Sequence, residues 1–262
     1  MELAYESNGV GDPLILLHGM GSASTSWKTI SPALQKKFRV ISFDLPGHGK
    51  SAFDPDQPMD PYSLALLIKK QMDLLGIEKA HFSGNSLGGW IALEIAAAFP
   101  ERTLSVTGLA PAGLWLVPST HRTALGASSR AMAHYTYKYA DTLMKKEWAR
   151  KLGFAEVSPK WRELPHEIIV DAVVAYGSSE GYFPAWDGMM KRRFDKTISS
   201  EIPVTIIFGD TDNTLPAQTM QERTLAPAHA RWVTLSQSGH APMWDCPNEV
   251  IAEIIHTAAM AQ

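Results

Sequence analysis

Four short segments carry the residue types that activate a hydroxyl group. Gly84-Asn85-Ser86-Leu87-Gly88-Gly89 sets a serine at the spacing Gly-x-Ser-x-Gly. That spacing suits a sharp strand-to-helix turn, in which small neighbours let the serine adopt a strained backbone and hold its hydroxyl clear of the chain. The N–H of Leu87 then stands at a helix start, where it can stabilise an oxyanion. Ser238-Gly239-His240 supplies an imidazole, which titrates near neutrality and suits taking the Ser86 proton and returning it to a leaving group. Gly209-Asp210-Thr211-Asp212 offers two carboxylates, either able to fix an imidazole tautomer and stabilise the imidazolium; Asp212 is favoured, with Asp210 as a turn-capping residue. His18-Gly19-Met20-Gly21 makes a sharp backbone turn available, and the Met20 N–H is the second candidate oxyanion donor. Two such donors contribute about 3 kcal/mol each to lowering an acyl-transfer barrier.

Each segment follows a short apolar run that can hold it in place. The runs at 13–17, 38–43, 80–83, 104–109, 204–208 and 231–235 have the length and β-branched content of buried parallel strands. Helical periodicity lies between them: Leu64, Leu67, Ile68, Met72 and Leu75; then Ile91, Ile95 and Ala98; then Val250, Ile254 and Ile255 after Pro247, with Asn248 as expected N-cap. Strand–helix alternation predicts an α/β fold, a mostly parallel sheet with helices on both faces. Residues 113–200 break the rhythm. They show no buried strand, contain helix-like stretches at 130–146 and 164–174, and hold 12 of the 24 Phe, Trp and Tyr residues. Removing them leaves 174 of the 262 residues, a reasonable size for one α/β core. The expected organisation is thus a core of 1–112 and 201–262, with a helical cap at 113–200. Trp115, Trp148, Trp161, Trp186, Met189 and Met190 of that cap either line an apolar substrate pocket or pack the cap onto the core.

The chain order Ser86, Asp212, His240 resembles the α/β-hydrolase superfamily, specifically its small cap-bearing serine hydrolases, the carboxylesterases among them. Asp44-Leu45-Pro46-Gly47-His48-Gly49-Lys50-Ser51 and Gly209-x-x-Asp212-x-x-x-Pro216 share in the resemblance. It implies a lid inserted before the acid-bearing strand, a catalytic triad of Ser86, Asp212 and His240, and an oxyanion hole of the Met20 and Leu87 N–H groups. The implied reaction is hydrolysis of a small, apolar carboxylic ester. Asn85-Ser86 with Gly88-Gly89 also resembles carbon–carbon bond hydrolases of aromatic-ring degradation, although those usually have Trp after the catalytic histidine and this chain has Ala241. A lactonase, thioesterase or perhydrolase would share the acyl-enzyme step, and a non-catalytic ligand receptor would need none of it. Epoxide hydrolases and haloalkane dehalogenases would need Asp where Ser86 stands.

Composition narrows the field. Lys plus Arg number 24 against 27 Asp plus Glu, a net charge of −3 that gives no whole-chain footprint for nucleic acid. The single cysteine, Cys246, rules out an internal disulfide framework or a Cys-rich metal site. Gly49-Lys50-Ser51 lacks the earlier glycine of a phosphate-binding loop, having Asp44 there, and His166-Glu167 has Val170 where a zinc protease needs its second histidine. The basic runs Lys145-Lys146, Arg150-Lys151 and Lys191-Arg192-Arg193 read as solvated helix faces. No run reaches the 18 or so apolar residues of a membrane span, and the acidic N-terminal stretch lacks a signal peptide's basic start. A cytoplasmic enzyme with a small-molecule substrate, no metal and no cofactor is expected.

Overall fold

The computed structural model describes residues 1–118 and 124–261. The apolar runs form β2 (Pro13–Leu17), β3 (Arg39–Phe43), β4 (Ala80–Asn85), β5 (Thr103–Leu109), β6 (Val204–Gly209) and β7 (Arg231–Leu235), and a further strand, β1 (Tyr5–Asn8), precedes them. They make one sheet in the order β1-β3-β2-β4-β5-β6-β7. All neighbours are parallel except β1, which runs antiparallel to β3 with Tyr5 opposite Phe43. β1 has the sequence Tyr-Glu-Ser-Asn and is largely exposed. It is an edge strand without an apolar run, and the sequence pattern did not reveal it.

Side chains alternate across the sheet. Ile15, Leu17, Ile41, Phe43, Phe82 and Phe208 enter one core, covered by α1 (Pro61–Leu74) and α2 (Leu87–Ala98). Leu14, Leu16, Val40 and Ile207 enter the other, covered by Trp27, Ile30 and the C-terminal helix. α1 starts as a capping rule would have it: Pro61 occupies the first turn and the Asp60 carboxylate accepts from the Ser63 N–H at 3.2 Å.

Between β5 and β6 the described residues form helices only: α3 (Ala124–Thr136), α4 (Glu147–Phe154), α5 (His166–Ser178) and α6 (Tyr182–Met190), with short turns between. The stretch expected at 130–146 is broken after Thr136 into a 3₁₀ turn and the four-residue helix Ala140–Leu143. α5 starts only after Pro165, whose ring cannot sit inside a helix. Last comes α7 (Pro247–Ala259), which opens at Pro247 after Cys246. Asn248 therefore lies inside its first turn and is not the N-cap, because Pro247 itself takes the first helical position.

Met144, Ala149, Phe154, Trp161, Leu164 and Ile169 form a third, smaller core within the helical stretch. Trp161 belongs to this core, and Trp115 packs edge-on against Trp90 at 5.5 Å on the sheet side. Trp148 is 64% exposed. These three tryptophans thus hold packing or surface positions. No helix among the described residues is long and apolar enough to cross a membrane.

Candidate active site

The four segments meet at the C-terminal ends of the parallel strands. Ser86 ends β4 and starts α2 with φ 54° and ψ −116°, a backbone that is costly for any residue with a side chain. Its surroundings hold it there. The Ser86 N–H donates to Leu109 O at 2.9 Å, and Ser86 O accepts from Ala112 N at 3.0 Å and Trp90 N at 3.1 Å. The turn is so tight that a Cβ on Gly88 would lie 2.0 Å from Leu17 O, which explains why the position after Leu87 has no side chain.

β7 leads to His240 and β6 to Asp212. His240 Nδ1 lies 3.0 Å from Asp212 Oδ2. A carboxylate only accepts, so Nδ1 carries the hydrogen and Nε2 keeps its lone pair for a proton. The other Asp212 oxygen accepts from the N–H groups of Thr214 and Leu215, each at 2.9 Å. Three donors on a side chain with no exposed surface leave Asp212 one orientation. Asp210, by contrast, is exposed and accepts from Ser238 N at 3.3 Å, so it joins the acid loop to the histidine loop and does not cap its own turn.

The first loop lies against the serine: a Cβ on Gly19 would sit 3.2 Å from Ser86 Cβ. His18 sets its shape. Leu45 N–H donates to His18 Nε2 at 2.9 Å, so the ring hydrogen is on Nδ1, which donates to Gly19 O at 2.7 Å. Burial lowers the His18 pKa and keeps the ring neutral, as this two-sided bonding requires. With Gly19 O turned onto His18, neither Met20 N–H nor Leu87 N–H donates a backbone hydrogen bond in the described loops and turns. The elements thus bring Ser86 beside Gly19, and His240 onto Asp212. No hydrogen bond joins Ser86 Oγ to His240; unliganded sites often leave this contact open.

Two contributors were not assigned from sequence. His18 is one. Asn85 is the other: its Nδ2 donates to Leu109 O at 3.0 Å and His240 O at 2.9 Å, so the residue before the serine fixes the main chain of the histidine. Nothing in the local sequence marks a contact 155 residues away. The helical stretch reaches the site's rim. Gly181 N donates to Gly47 O at 3.1 Å, and a Cβ on Gly21 would meet the rings of Tyr176 and Tyr182 within 2.9 Å. Among the described residues no group of three or more His, Cys, Asp or Glu side chains is placed to hold a metal ion. His166 instead pairs with Asp141 at 3.0 Å, and Glu167 with Lys28.

Residues 14–254 match the family model described as the Alpha/beta hydrolase family. The chain belongs to that family. An uncharacterized protein of Mycobacterium tuberculosis is 30% identical over 264 residues, spanning 95% of this chain and 75% of that protein. A 2-hydroxy-6-oxononadienedioate/2-hydroxy-6-oxononatrienedioate hydrolase of Comamonas testosteroni is 40% identical over 110 residues, 40% of this chain and 38% of that enzyme. Among solved structures, a thermophilic esterase from Thermogutta terrifontis superposes with a TM-score of 0.75 at 22% identity, covering 99% of this chain and 93% of the esterase. That last likeness is one of fold. The family makes this chain a hydrolase.

Proposed function

We propose that the chain is a serine hydrolase that cleaves a small, apolar carboxylic ester through an acyl-enzyme on Ser86. The buried His240–Asp212 pair, on loops that converge beside a serine in a strained turn, is the observation that carries this reading. Ser86 Oγ attacks the acyl carbon as its proton passes to His240 Nε2. Asp212 stabilises the imidazolium, and the Met20 and Leu87 N–H groups receive the oxyanion. His240 then protonates the departing alkoxide; water, deprotonated by the same ring, attacks the acyl carbon and releases the acid and Ser86. No step needs a metal or a cofactor. Residues 113–200 act in this reading as the cap over Ser86 that selects the substrate, in an enzyme of the cytoplasm.

Ser86→Ala should lower hydrolysis of short aryl esters by at least about 10⁴-fold and abolish covalent labelling by a fluorophosphonate. Unchanged labelling would sink the assignment. A second reading, hydrolysis of a carbon–carbon bond in a vinylogous diketone on the same triad, draws on the Comamonas testosteroni relative. A panel of esters, lactones, thioesters and such a diketone, with Ser86→Ala as control, separates the two: the ester reading requires the highest kcat/KM among the esters.

A further inference from the structure

A buried carboxylate lies just past His240 and takes no part in the chemistry above. Asp245 ends the short helix Pro242–Asp245 and is 4% exposed. Its Oδ2 accepts from the Gly239 N–H at 2.8 Å, and its Oδ1 accepts from the fully buried hydroxyl of Ser158. Ser158 belongs to the helical stretch, in the turn that follows α4. The residue before it, Val157, accepts the His240 N–H on its carbonyl at 2.8 Å. Lys160, two residues on, donates to Asp245 O at 2.7 Å. The strap 157–160 therefore crosses directly over the histidine loop. It runs so close that a Cβ on Gly239 would be 2.3 Å from Val157 O, so only glycine fits before His240.

We propose that Asp245 is a positioning residue for His240, acting together with the strap Val157–Ser158. An ionised carboxylate is the group this junction calls for. Gly239 N–H can only donate, and one carboxylate receives it and the Ser158 hydroxyl at once, joining the strap to the peptide that precedes the histidine. Burial holds the Asp245 carboxyl above the usual carboxylate range, and the Ser158 and Gly239 hydrogen bonds with the nearby Lys160 offset part of that rise. A buried polar group is costly unless it is hydrogen-bonded, as this one is on both oxygens. The helical stretch thereby becomes part of the device that orients the general base.

This proposal rests on the serine-hydrolase reading, and the test separates the two. Ser158→Ala and Asp245→Asn are compared with the parent for kcat and KM on an aryl ester, fluorophosphonate labelling rate, the low-field proton resonance of His240 Nδ1–H, and melting temperature. Expected in Asp245→Asn are a fall of tenfold or more in kcat and labelling rate, a KM within twofold, and a shifted or broadened Nδ1–H resonance. Ser158→Ala, which removes one hydroxyl and leaves the carboxylate, should move the same readouts in the same direction; it decides the matter if Asp245→Asn fails to fold. Labelling rate and kcat within twofold of the parent overturn the proposal, as does a loss confined to melting temperature or KM. A parent that takes no fluorophosphonate overturns the serine reading, and positioning for it falls as well.

Discussion

The sheet and the helical stretch between β5 and β6 use apolar residues in opposite ways. On the sheet, every position of β4 and β6 is buried, and adjacent side chains divide cleanly between two cores. In the helical stretch a small core of six buried side chains coexists with exposed Trp148, Leu152, Tyr135 and Tyr139. The proposed catalytic groups all come from strand ends of the first region. Among the described residues the second meets that site at the rim and at the strap 157–160. Chemistry needs placement within fractions of an ångström, which rigid strands supply, whereas a surface that meets a substrate can vary.

The contrast can be attacked at several strengths. Asp212→Asn keeps the shape of the side chain and presents the wrong hydrogen-bonding partner to His240 Nδ1. It should lower kcat by about 10⁴-fold with little change in fold, and a loss under tenfold in steady-state kinetics would remove the sheet's claim to the chemistry. Phe208→Ala, at a fully buried strand position, should cost about 3–5 kcal/mol in urea unfolding. His48, buried against the ring of His18 at 5.3 Å, tests the sheet side by pH. Burial, with Arg130 nearby, depresses its pKa from 6.5 to about 3 despite its bond to Pro46 O. Between those values the unfolded chain binds the proton and the folded chain does not. The stabilisation is therefore complete above pH 6.5 and falls by about 1.4 kcal/mol per pH unit below it. His48→Asn should flatten this slope between pH 6.5 and 5, and an identical slope in parent and variant would refute the attribution. Trp148→Ala, in the helical stretch, should change stability by no more than about 0.5 kcal/mol. A cost like that of Phe208→Ala would mean that the two regions are one cooperative core.

Legibility in the sequence follows the same division. β2 through β6 could be read because burial makes a largely apolar run that stops at Gly, Asp or Pro; β7, the other edge strand, is mostly not buried and was legible only through Trp232, Val233 and Leu235. β1 could not, since an exposed edge strand such as Tyr-Glu-Ser-Asn has no reason to be apolar. Ser86, Asp212 and His240 stood out because each lies in a glycine-marked turn after a strand. His18, Asn85 and Asp245 serve through contacts that only the closed fold creates, and a buried Asn or Asp looks in sequence like any turn residue. The tryptophans of the helical stretch were ambiguous for a related reason. Trp148 and Trp161 are the same residue type, and only the fold puts one on the exposed side of α4 and the other, in the turn before α5, into a core.

His240 is gripped by its main chain from two directions: Asn85 of the sheet holds its C=O, and Val157 of the helical stretch holds its N–H. This bears on how such a chain can diversify. The helical stretch is not a cassette that can be exchanged whole, because any replacement must return a carbonyl to the point that Val157 O occupies. In the proposed reading the described helices elsewhere in the stretch can drift toward new substrates, while that one crossing stays with the reaction.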